Sequence, residues 1–199
     1  MSFSSYANFQ AAVADQLARN DLTTQIVDFI TLFEAYAARK LQVRQQETTT
    51  TLTTSGGSVA LPSDYLAWRS VIWNGTIQNP LTYVHPSEFA MMYPSQPSGV
   101  PYIFTITGST LKIMPVDDTG LKFDYYAKNT AISSTLNWLF NNYPDFYYSG
   151  TLFEAYSFIK DPDNAAFWKL RRDEQYDEIR LQNFRNAGGM RVQVEGITP

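Results

Sequence analysis

The chain has 199 residues, a formal net charge of −4 and a pI near 4.9. That is long enough to bury a real core and too acidic for a protein whose affinity comes from neutralising phosphates with clustered lysine and arginine. With no cysteine, it builds neither a disulfide framework nor a zinc–thiolate site.

The opening MSFSSYANFQ lacks the basic region and apolar run of a signal peptide, and no stretch reaches membrane-span length. The expectation is a soluble chain that is not exported by that route. Over residues 5–20, Tyr6, Phe9, Val13 and Leu17 share one helical face. Asp21-Leu22 interrupts, Thr23 or Thr24 is the expected cap, and Ile26, Phe29, Ile30, Phe33, Ala37 and Leu41 form a longer apolar stripe. The basic end of that second helix, Arg39, Lys40 and Arg44, suits the negative end of the helix dipole and reads as a solvated last turn.

At Thr48 the composition changes to TTTTLTTSGGS, so helix gives way to strand or loop. Short strand-like runs follow at 69–73, 81–84, 102–107, 111–114 and 121–126, separated by turn signals such as Asn74-Gly75 and Gly108-Ser109. They predict one small antiparallel sheet. His85-Pro86-Ser87-Glu88 opens a short helix to about residue 93, and 94–101 is an irregular loop.

The stretch 137–159 is the expected central helix of the core. Asn142 reads as its N-cap, Pro144 as a first-turn residue and Asp145 as a partner for the helix dipole. Tyr148, Leu152, Ala155, Tyr156 and Ile159 recur at helical spacing, and Tyr147, Phe153 and Phe158 make the remaining side apolar. Such a helix expects neighbours all round. Asp161-Pro162-Asp163-Asn164 breaks it and caps a last, highly charged helix, about 165–186, which would be roughly 33 Å long. That is more than a small sheet domain covers, so part of it projects. We therefore read Trp168, Arg171, Arg172, Tyr176, Arg180, Phe184 and Arg185 as an interface to a neighbouring subunit. Gly188-Gly189 ends the helix and a short strand follows at 190–194.

The fold class is α+β. The N- and C-terminal helices form a discontinuous bundle (1–47 with 137–187), 48–136 is an inserted antiparallel β-rich domain, and 188–199 is a C-terminal tail.

Motifs for catalysis are missing their minimum parts. His85, the single histidine, stands before a proline and reads as a capping or surface residue, and neither G-x-S-x-G nor H-E-x-x-H occurs. Asp161 and Asp163 begin like a calcium loop, but Ala165, Ala166 and Arg172 occupy positions that need a ligand, a glycine and a glutamate. Asp117-Asp118 reads as a turn. No glycine-rich phosphate loop is present. The expectation is a non-enzyme with no cofactor and no metal. Two alternatives remain: a carbohydrate-binding module using Trp68, Trp73 or Tyr83 as stacking platforms, and a glycan hydrolase drawing two carboxylates from Asp64, Glu88, Asp124 and Glu154.

Several motifs recur in one order: Asp28-Phe29-Ile30 with Glu34 and Arg39, Leu61-Pro62-Ser63-Asp64-Tyr65-Leu66 with Arg69 and Val71, and Pro101-Tyr102 with Gly108, Leu111, Ile113 and Pro115. Tyr125-Tyr126, Asn137-Trp138-Leu139, Tyr143-Pro144-Asp145 and Gly150-Thr151-Leu152 continue it. Over about 9–176 the chain resembles the phage head-to-tail adaptor (connector) family of the tail tubular protein A type. The resemblance implies packed helices carrying a β-rich insertion, and a homo-oligomeric ring of twelve copies beneath the portal protein. In such a ring the helices and the C-terminal tail face the portal, the β-rich part faces the tail nozzle or tail tube, and DNA passes through the middle. It implies a place in the virion neck, assembly in the host cytoplasm, a part in DNA ejection and no membrane. Met190, Val192 and Val194 would then be the alternating apolar contacts of a tail docked on the portal. Twelve copies at −4 each would carry on the order of −48 charges, which repels DNA and suits a conduit.

Overall fold

The structure, a computed structural model, describes residues 3–92 and 95–186, with side chains through Phe184. Its helices are α1 (Tyr6–Leu17), α2 (Thr23–Lys40), α3 (Pro86–Met92), α4 (Trp138–Asn142), α5 (Pro144–Phe158) and α6 (Pro162–Asn186). Its strands are β1 (Glu47–Leu52), β2 (Ser58–Ala60), β3 (Tyr65–Trp73), β4 (Asn79–Pro80), β5 (Thr82–Tyr83), β6 (Ile103–Thr107), β7 (Thr110–Met114) and β8 (Leu121–Ala127). The class is α+β, and the chain forms two units: its two ends, up to Arg44 and from Asn129 on, make one, and 45–128 makes the other.

In the helical unit, Ser5 caps α1 by accepting the Asn8 N–H at 3.2 Å, and Phe9, Val13 and Leu17 are buried on one stripe. α2 buries Ile26, Phe29, Ile30, Phe33 and Ala37. Neither threonine caps it. Leu22 holds the N-cap position without a side-chain bond, because this register buries Leu22 together with Ile26 in the core, and Thr23 is already helical. The Asn142 cap is likewise replaced. Asn137 caps the short α4, its Oδ1 accepting the Phe140 N–H at 2.9 Å, while Asn142 sits in the last turn of α4 and donates to the Trp138 carbonyl at 2.7 Å. α5 starts at Pro144 with Asp145 in its first turn and is buried on every side through Phe146, Tyr147, Gly150, Leu152, Ala155 and Tyr156. Asp161 then caps α6 by accepting the Asn164 N–H at 3.1 Å.

A polar network closes the unit. Asn137 Nδ2 donates to the Thr130 carbonyl at 2.7 Å and the Tyr147 hydroxyl oxygen at 2.8 Å. Tyr147 donates to Glu34 at 3.4 Å, and Glu34 also accepts the Ile132 N–H at 2.8 Å. Burial raises the Glu34 carboxyl above its usual range, and the bonds from Ile132 and Tyr147 offset only part of that. A carboxyl whose folded value is raised contributes most stability below its unfolded value near 4.5 and loses it as pH rises through the folded value. Glu34→Gln, which stays neutral and still accepts, should match the parent in acid and exceed it at neutral pH. Chemical denaturation at the two pH values checks this, and a less stable variant at neutral pH would refute it.

The β unit holds two four-stranded sheets where the strand pattern predicts one. Their orders are β1-β8-β3-β4 and β2-β7-β6-β5, and β5 runs parallel to β6 although every other pairing is antiparallel. The parallel pair arises because the connection from β5 to β6 carries α3, and a crossover of that length returns the chain in the same sense. Alternation decides the layers. Phe104, Leu111 and Ile113 of the second sheet join Val71, Leu121, Phe123 and Tyr125 of the first in one core, while Ile103 and Met114, on the opposite face, pack with Phe89 of α3. His85 Nδ1 lies 2.8 Å from the Ser87 hydroxyl and so organises the start of α3. Asp117 accepts from the Thr119 N–H at 2.7 Å and from Trp73 Nε1 at 2.9 Å, which places it in a turn.

Candidate subunit interface

Toward its own bundle, α6 packs Ala165, Trp168, Tyr176 and Ile179 on the core and adds polar contacts. Gln175 Nε2 donates to Asp145 at 2.9 Å and its Oε1 accepts from the Ser149 hydroxyl at 2.5 Å. Tyr143 donates to Gln182 at 2.5 Å, Tyr176 donates to the Lys40 carbonyl at 3.2 Å, and between them Ile179 is the buried aliphatic residue. Toward solvent it presents Phe167, Leu170, Leu181 and Phe184, which are 52%, 60%, 56% and 64% exposed. With Glu174 and Asp177 these four residues follow alternating steps of three and four, so all six lie on one face, apolar at both ends and acidic in the middle. A helix that packs one side on its core and still leaves large apolar groups on the other has a face built to be covered.

The sequence-predicted residues divide. Phe184 lies on this face. Arg171 is exposed beside Glu174 at 4.0 Å, and Arg180 is exposed with its guanidinium 5.6 Å from the Tyr176 ring centre. Trp168 is half-buried, edge-on to Tyr148 at 5.7 Å, so it belongs partly to the bundle. Arg172 has turned inward. It is 6% exposed, its guanidinium lies 4.2 Å from the Tyr36 ring centre and 4.6 Å from that of Phe153, and it pairs with Asp173 at 2.8 Å. The arginine and the two rings make a cation–π sandwich inside the subunit. The Arg185 side chain and the tail residues Met190, Val192 and Val194 lie outside the described residues. Phe167, Leu170 and Leu181 were missed, although their three-and-four spacing is visible in the sequence once the charged residues between them are set aside.

The residues singled out for other roles have local partners. Trp68 and Tyr83 stack on each other at 5.5 Å, so each ring has one face already occupied. Asp64 accepts from the Tyr125 hydroxyl at 3.0 Å. Asp124 accepts from Thr49 at 2.6 Å and Ser70 at 2.5 Å. Burial pushes the Asp124 carboxyl up, but those two hydroxyls outweigh it and hold it below the usual range. Glu88 is exposed on α3, and Glu154 stands in the helical unit near Arg172. Among the described residues no three metal-ligating side chains cluster, and no helix is long and apolar enough to cross a membrane.

Residues 4–194 match the family model described as SU10 adaptor protein. The chain belongs to the SU10 adaptor protein family. No curated protein matches it. Membership agrees with the resemblance to phage head-to-tail adaptors and makes the chain a structural adaptor protein of a phage. The SU10 adaptor match also extends past residue 176, where the resemblance of motifs ends, to residue 194.

Proposed function

We propose that this SU10 adaptor acts as a ring, twelve copies in the virion, seated between the portal protein and the tail nozzle or tube, with DNA passing through its channel without sequence-specific contact. It is assembled in the host cytoplasm, works in the virion neck during DNA ejection, and performs no catalysis. The observation that carries the reading is the outward stripe of α6. A structural adaptor that leaves four large apolar side chains on one exposed helix face reserves that face for another protein chain. The exposed arginines Arg171 and Arg180 flank it, as polar rims do around interface cores. The net charge of −4 per copy supports a channel that lets DNA slide.

The test is sedimentation of the full chain alone and mixed with the portal protein of the same virus, reading mass and stoichiometry. One copy of the adaptor per portal subunit is the expected result. A chain that stays unbound at every ratio would remove the portal from the proposal.

A further inference from the structure

In the β unit, α3 leaves part of the sheet beneath it uncovered. Across that face Thr105 of β6, Lys112 of β7 and Ser58 of β2 stand opposite one another in register, so their side chains project on the same side as Ile103 and Met114. With Thr107, Gln96 and the Phe89 side of α3 they line a cavity of about 290 Å³. Its rim is open to solvent, since Gln96, Thr107 and Lys112 are exposed, and its floor is apolar, since Phe89 and Met114 are buried.

Two observations mark the cavity as a binding site. Thr105 is 1% exposed, yet its hydroxyl has no hydrogen-bond partner among the described residues. An unpaired buried hydroxyl costs stability, and valine would suit the same strand position without that cost. Lys112 makes no ion pair among the described residues, and neither Asp118 nor Glu88 lines the cavity; Asp118 accepts the Gly57 N–H at 3.3 Å instead. A chain of net charge −4 thus holds a pocket with a free cation and a hydroxyl that lacks an acceptor.

Independently of the ring reading, we propose that this cavity binds a carboxylate carried on a short aliphatic stem. Its oxygens accept from the Thr105 hydroxyl and the Lys112 ammonium, and its stem lies on Phe89 and Met114. One ammonium matches one carboxylate, whereas a phosphate dianion would leave a charge uncompensated where no second cation is among the described lining residues. A neutral amide would leave the ammonium without a counter-charge. The same chemistry comes from two sources, a free small acid or a glutamate side chain of a docking protein.

Titration of the full chain, read by the amide resonances of Thr105 and Lys112, tests this with sodium butyrate as the probe and butyramide and sodium chloride as controls. Butyrate should saturate with a Kd on the order of millimolar, and butyramide should bind about tenfold more weakly or worse. Lys112→Met and Thr105→Val should each weaken butyrate about tenfold or more, while Thr105→Ser, which keeps the hydroxyl, should stay within about threefold of the parent. Thr105→Val should also melt about 2–4 °C higher, because it removes the unpaired hydroxyl. Butyrate shifts no larger than those from chloride would leave only water and bulk salt in the cavity and overturn the proposal. A Thr105→Val protein that binds like the parent, or melts below it, overturns it as well. Sedimentation with the portal and tail proteins then separates the sources. Lys112→Met assembling like the parent assigns the site to a free acid, and assembly reduced about tenfold assigns it to the side chain of a docking protein.

Discussion

Gly150→Ala should destabilise the helical unit by about 2 kcal/mol, against the usual sign for a glycine in a helix. In an exposed helix the change gains about 1 kcal/mol. Here the new Cβ would land on the Phe33 ring, overlapping Cγ, Cδ2 and Cε2, where α2 packs on α5. The ring has nowhere to go. It is 1% exposed and set edge-on against Phe146 at 4.9 Å and Tyr147 at 5.0 Å. Overpacking a locked site costs about 1–3 kcal/mol or more, and three overlapped ring atoms put this case at the upper end, beyond what propensity returns. Phe33→Ala on its own removes a fully buried ring and should cost about 3–5 kcal/mol. Combining Gly150→Ala with Phe33→Leu should cost less than the two single changes added, because the smaller side chain makes room for the methyl. Urea denaturation followed by helix ellipticity reads all of these, with an unchanged slope showing that the denatured state is the same. A Gly150→Ala protein as stable as the parent would mean that α2 and α5 separate freely, contrary to the packing described.

The second large effect concerns Arg172. Arg172→Ala should lower stability by about 2–4 kcal/mol, since it removes a desolvated guanidinium held between two aromatic rings and the stem that packs with it. Lysine should recover little, because an ammonium cannot lie flat between the Tyr36 and Phe153 rings or give Asp173 the two bonds of 3.0 and 2.8 Å that the guanidinium supplies. Its neighbours behave differently. Arg171→Ala and Arg180→Ala, both on exposed positions, should each change stability by about 0.5 kcal/mol or less and should act, if anywhere, on assembly. Thermal melting of the three variants separates the cases, and an Arg172→Ala protein that melts like the parent but fails to assemble would return Arg172 to the interface.

Arg172 also shows where reading a sequence reaches its limit. The apolar faces of α1, α2 and α5 were legible: Phe9, Val13 and Leu17 on α1, Ile26 to Ala37 on α2, and the all-round burial of α5 follow from spacing alone, because a 3.6-residue repeat is a local property of the chain. Cap positions were less legible. Thr23 and Asn142 have the right chemistry, but burial of Leu22 and formation of α4 moved the helix starts by one or two residues. The family, too, was legible, since it rests on the order of motifs along the chain.

Composition and spacing by themselves determined an acidic α+β protein, and the kinship of a phage adaptor came from the resemblance of its ordered motifs to that family. Only the tertiary structure decided which side of α6 faces in. A charged helix read alone offers its arginines and aromatics as equal candidates, and the choice depends on partners more than a hundred residues away in sequence: Tyr36 draws Arg172 inward, and the Lys40 carbonyl takes the Tyr176 hydroxyl. The same long-range packing split the predicted single sheet in two, because Phe104, Leu111 and Ile113 of one sheet bury together with Val71, Leu121 and Phe123 of the other. Local periodicity carries no information about such contacts; they are set by which surfaces the whole chain can bury together.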